Sequence, residues 1–163
     1  MSIIGTSLLT SLNGSGGLPP GLIESFENFS GGLPVDWQKV NTPNITQSAL
    51  HVTEGANSLR QRDNLGDVSG YVYRTFNLSG LQLYTLKCDV HVAGLPNGGG
   101  DARMEVAGAS SMKSTLGSGT LAIDLSPYSD AQLETLQVRL GWVYGAGFRH
   151  GDYYFDNLRT ELT

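Results

Sequence analysis

The chain is expected to fold as an all-β protein: an antiparallel β-sandwich of the jelly-roll type that carries an extended N-terminal arm. Three observations point there. Turn signals built from Gly, Pro, Asn and Ser recur about every dozen residues. The segments between them alternate apolar and polar side chains. No stretch sustains a capped helical period, although residues 129–134 have the composition for one turn.

The arm comprises residues 1–21. A weakly apolar decapeptide is followed by Ser11-Leu12-Asn13-Gly14-Ser15-Gly16-Gly17-Leu18-Pro19-Pro20-Gly21, a flexible linker ending in a stiff turn. Such a segment cannot bury itself. It is expected to grip another subunit through Ile3, Ile4, Leu8, Leu9, Leu12 and Leu18, the alternative being that it folds back on its own body. The opening residues lack a positively charged region and a small-residue cleavage site, so a secretion leader is not expected.

The body spans residues 22–163. Residues 22–29 read as its first strand and residues 151–162 as its last; both are rich in aromatic and branched side chains, both carry carboxylates, and the two are expected to pair and close the fold. Between them, residues 35–40 form a short strand with Val35 and Trp37 facing the core, and residues 48–52 follow with Leu50 and Val52 in register. Residues 58–62 give a weaker signal and residues 69–78 a clear one. Residues 82–92 form the longest strand, with Tyr84, Leu86, Cys88, Val90 and Val92 on one face. After a glycine-rich tip come strands at 102–108, 121–125 and 132–144, with a Ser/Gly-rich hairpin region at 110–119.

A chain of 163 residues is one domain's worth and can bury a core without a disulfide or metal. Its formal charge of −5, with the arginines scattered, argues against a nucleic-acid partner. Apolar runs fall short of the roughly 20 residues of a membrane span, so membrane insertion is not expected either. Cys88 reads as a buried small hydrophobe. His51, His91 and His150 show no zinc-ligand spacing, and His51 and His91 read as polar-face strand residues. Asp89, Glu105 and Asp124 alternate outward as solvated acids, leaving no catalytic acid/base pair.

Taken in order, Phe26-Glu27, Trp37, the segment from Val52 to Leu59, the long strand and Tyr154-Phe155-Asp156-Asn157-Leu158 resemble the galactose-binding-like jelly roll shared by many carbohydrate-binding modules. The resemblance covers residues 22–163. It implies one structural calcium ion held by Glu24 or Glu27, by the loop from Glu54 to Ser58 and by Asp156, a set able to contribute to the six to eight oxygens that Ca²⁺ takes. Alternatively, Glu24 and Glu27 are solvated and Asp156 caps a turn. The resemblance also implies glycan binding on aromatic platforms. Among Trp37, Trp142, Tyr71, Tyr73, Tyr144 and Tyr153, the two tryptophans alternate with core residues; Tyr73 beside Arg74, together with Tyr144 and Tyr153, are the glycan-binding candidates.

The main functional expectation is a non-enzymatic virion structural protein, a capsid decoration (cement) or tail accessory subunit of a tailed phage. It would reside in the virion, bind neighbouring subunits through its arm, form a homo-oligomer such as a trimer, and display a surface for host glycans. The alternative is a free, extracellular carbohydrate-binding module. A small jelly-roll hydrolase is the third class, and it lacks the acids.

Overall fold

The structure is a computed structural model that describes residues 21–41, 44–62, 69–93, 101–143 and 151–163. In chain order the elements are β1 (Leu22–Glu24), β2 (Phe29–Ser30), β3 (Leu33–Pro34), β4 (Gln38–Val40), β5 (Asn44–Ser48), β6 (Ser58–Arg62) and β7 (Gly70–Phe76). They continue with β8 (Tyr84–Ala93), β9 (Asp101–Val106), β10 (Ala109–Lys113), β11 (Gly117–Asp124), the one-turn helix α1 (Asp130–Leu133), β12 (Leu136–Val143) and β13 (Asp152–Leu162). The helix forms where Ser129 and Gln132 cap each other's backbone reciprocally.

Two antiparallel sheets face one another. The first has the order β11-β8-β13-β6-β5 and the second β10-β9-β12-β7-β4, while β2 and β3 make a small ribbon. Alternation builds the core: Leu86, Cys88, Val90 and Val92 of β8 meet Met104 and Val106 of β9, Val138 and Leu140 of β12, and Val72 of β7. Phe26, Trp37 and Phe76 close one end, with ring centroids 5.6 and 5.9 Å apart.

The first and last strands do pair, Leu22 with Arg159 and Glu24 with Leu158. Their contact seals no outer edge, because β13 lies in the middle of its sheet. β8 runs along one side of β13, while β6 and then β1 share the other. A bulge at Asn157, whose φ is +50°, inserts one residue between Asp156 and Arg159 relative to β8. It resets the alternation of β13, so that Tyr153 and Phe155 point inward before it and Leu158 and Thr160 after it.

Several strand boundaries shift, among them the expected strand at 22–29, which ends at Glu24, and that at 132–144, which begins at Leu136 after α1. Trp37 is buried, but Val35 is exposed, because the strand begins only at Gln38 and Asp36 adopts φ +67°. The strand expected at 48–52 lies instead at Asn44–Ser48, and Leu50 is exposed on the bend that follows. The arm, with Ile3, Ile4, Leu8, Leu9, Leu12 and Leu18, and the candidate Tyr144 lie outside the described residues.

Candidate functional site

The outer face of the second sheet presents side chains in rows that cross the strands. Register places Met112, Arg103, Gly141, Tyr71 and Val40 side by side, one from each of β10, β9, β12, β7 and β4. The next row is Ser110, Glu105, Arg139, Tyr73 and Gln38. On β9, β12 and β7 these positions alternate with core residues, so the side chains of Arg103, Glu105, Arg139, Tyr71 and Tyr73 face away from the sandwich. Gly141 leaves a gap in the middle of the first row, and a depression of about 220 Å³ opens there between Tyr71, Arg103, Glu105 and Arg139. A second depression of about 470 Å³ shares Glu105 and Arg139 as a wall and runs on past Gln137 towards α1.

The walls are held by their own chemistry. The guanidinium carbon of Arg139 lies 5.1 Å from the centroid of Tyr71, within cation–π range. Arg139 Nη1 donates to Glu105 Oε1 at 3.0 Å and Nε to Gln137 Oε1 at 2.7 Å, while Arg103 pairs with the other oxygen of Glu105. Tyr73 donates its hydroxyl to Gln38 and sits 6.1 Å from Tyr71, tilted by 57°. Two donors of groove-lining residues, Arg103 Nε and Trp142 Nε1, are buried with no hydrogen-bond partner among the described residues. An unmet buried donor costs about 1–3 kcal/mol, so Arg103 Nε, on the outer face, favours a ligand or water that brings an acceptor, whereas Trp142 lies on the core side of β12.

Of the glycan-binding candidates, Tyr73 is on this face. Its neighbour Arg74 points the opposite way, where it pairs with Glu24 at 3.1 Å and Asp36 at 3.3 Å. Tyr153 is a correction: it is fully buried and stacks on Trp142 with centroids 5.8 Å apart, because it faces inward from a central strand. The local sequence around Arg103, Glu105, Arg139 and Gly141 does not mark them as binding residues. The available signal is the alternation Arg103-x-Glu105 and Gln137-x-Arg139-x-Gly141 on strands whose other face is apolar.

The acids that the resemblance assigns to calcium each make contacts of their own. Glu24 accepts from Phe26 N, Trp37 Nε1 and Arg74. Glu27 accepts from the backbone N–H of Ala56 and Asn57 and from Asn57 Nδ2. Asp156 accepts from the backbone N–H of Thr53, Glu54 and Asn157, so Glu54 enters through its amide. No three His, Cys, Asp or Glu side chains converge among the described residues. The carboxylates of Glu27 and Asp156 pin the loop at 53–57.

Burial raises the pKa of Asp156 above the usual carboxylate range against the pull of those amides. At Asp89, opposite Asp156 on β8, burial works in the same direction but is outweighed by bonds from Asn157, Arg159 and Thr120, and the pKa falls. Burial pushes the Cys88 thiol up, which leaves it a neutral core residue.

No family model and no curated protein matches the chain. Solved structures do. The C-terminal family 22 carbohydrate-binding module of Clostridium thermocellum Xyn10B superposes with a TM-score of 0.57 at 15% identity, over 88% of this chain and 95% of that one. TmCBM61, solved with β-1,4-galactotriose, gives 0.62 at 11% identity, over 89% and 100%. The N-terminal CBM22-1–GH10 modules of Xyn10B, complexed with xylohexaose, give 0.56 at 12% identity, over 90% of this chain and 29% of that one. The fold is that of the carbohydrate-binding-module sandwiches. Identities this low carry the architecture alone.

Proposed function

We propose that this chain is a non-catalytic glycan-binding module and that its site is the groove over Gly141 on the outer face of the second sheet. The observation that carries the reading is the cross-strand row itself. An aromatic ring and a guanidinium stand on either side of a glycine gap, and carboxylate and amide oxygens stand in the next row. Sugar recognition needs a flat apolar surface for the C–H face of the ring and mixed donors and acceptors for the hydroxyls. Tyr71 and Tyr73 supply the first; Arg103, Arg139, Glu105 and Gln137 supply the second.

Arg139 does two things at once: its guanidinium packs on the ring of Tyr71 and bonds Glu105, so little side-chain ordering is left for the binding step. The similarity to modules solved with oligosaccharides supports the same reading. Affinity electrophoresis through gels containing soluble xylan or β-1,4-galactan tests it. The native protein should be retarded in at least one gel and Tyr71→Ala in neither, with both melting cooperatively. Equal retardation of the two proteins would assign binding elsewhere.

A further inference from the structure

On the outer face of the first sheet the bend at 49–57 folds back over β8 and β13. His51, from the bend, lies flat on His91 of β8, with ring centroids 3.5 Å apart and planes within 7°. Both rings meet Tyr154 of β13 edge-on, at 4.6 and 6.2 Å, and Tyr154 is only 4% exposed beneath them. His51 has φ +55°, a left-handed conformation that costs a non-glycine residue free energy. Something must repay that strain, and the ring stack is the contact His51 makes. Two residues further on, Thr53 and Glu54 donate their backbone N–H to Asp156 at 2.6 and 2.8 Å.

We propose that His51 and His91 form a pH-operated latch: stacked, they hold the bend on the sheet, and on acidification charge gained in the stack lifts it, exposing Tyr154 and Asp156. Two imidazolium rings at this separation repel each other, whereas one neutral ring stacks well on another. The charged surroundings add to that bias. Lys113 on β10 and the neighbouring His51 both disfavour a proton on His91, and burial does so most of all. Arg60 of β6 stands over the far side of Tyr154 at 5.9 Å, its charge matched by Asp152. Asp89 lines the same depression but is already engaged by Arg159, Thr120, Thr53 and Asn157. Ser118 of β11 shares a hydrogen bond with His91 Nδ1 at 2.8 Å.

The sign follows. Because the folded state resists protonation of His91, the unfolded and opened forms bind more protons below the ordinary histidine pKa, and the latch weakens as pH falls from about 6.5. Asp156 titrates too, and its loss of charge would free the same amides, so the test must separate the two.

The experiment is amide hydrogen exchange of the full chain, read by NMR at Thr53 and Glu54 at pH 7.5 and 5.0 and corrected for intrinsic chemistry. The native protein should lose roughly tenfold or more in protection, within the range that like charges about 4 Å apart produce. His51→Phe keeps a flat ring without the proton and should stay protected at both pH values. His91→Gln should lose the pH step while Asp156 remains intact. An equal step in all three proteins would assign the effect to Asp156 and overturn the latch, as would unchanged protection in the native chain.

Discussion

The guanidinium of Arg139 lies across the ring of Tyr71, its central carbon 5.1 Å from the ring centroid, so one side chain positions the platform that the groove presents. Arg139→Ala should therefore weaken glycan binding although Tyr71 itself is unchanged in sequence. Losing the cation–π contact and the bond to Glu105 should cost about 1–2 kcal/mol, or roughly tenfold in affinity. Titration calorimetry of the variant checks this, with Thr75→Ala on the same face as a control that should bind normally.

Gly141 is required by close approach. A Cβ there would stand 2.1 Å from the carbonyl oxygen of Gly70 and 2.7 Å from the Cα of Tyr71, both backbone atoms that cannot swing away. Gly141→Ala should destabilise the fold by about 1–3 kcal/mol, the usual range for overpacking, and displace Tyr71. Urea unfolding measures the first effect and loss of glycan retardation the second.

The 53–57 loop is tied down by carboxylates, so chelation should not matter. EDTA followed by excess Ca²⁺ should leave the melting temperature unchanged, whereas a cation bound only to the folded state would raise it by mass action. Asp156→Ala, by contrast, strands the amides of Thr53 and Glu54 and should cost about 1–3 kcal/mol.

Acid should erode stability through Asp89 and Glu27. The pKa of each is lowered in the fold: burial opposes this, but hydrogen bonds from Asn157 and Arg159 at Asp89, and from Asn57 and Ala56 at Glu27, outweigh it. Their contribution is complete above the ordinary carboxylate pKa of about 4 and fades as pH falls below it. Asp156 has the opposite sign: its raised pKa favours the acid form of the folded state. Asp89→Asn should therefore flatten the fall in stability between about pH 4 and pH 2, followed by urea midpoints.

Much of the architecture is legible in the sequence. The strict alternation of β8 gives its inward face residue by residue, and the composition of the first and last segments is enough to pair them. The groove is less legible because register assembles it: Tyr71, Arg103 and Gly141 come from separate strands and meet only through pairing. Local spacing also misleads at Tyr73 and Arg74, neighbours that strand geometry sends to opposite faces. At Tyr153 and Tyr154 the candidate falls on the inward tyrosine, and only the sheet order reveals which of the two is core.

The central claim is that sugars bind over Gly141. The most direct measurement is NMR chemical-shift mapping with β-1,4-galactotriose and with xylohexaose as probes. The expected result is that at least one probe shifts the resonances of Tyr71, Arg103, Arg139 and Gly141 while those of His51 and Asp89 on the opposite sheet stay still. Shifts confined to another face, or none with either probe at millimolar concentration, would contradict it.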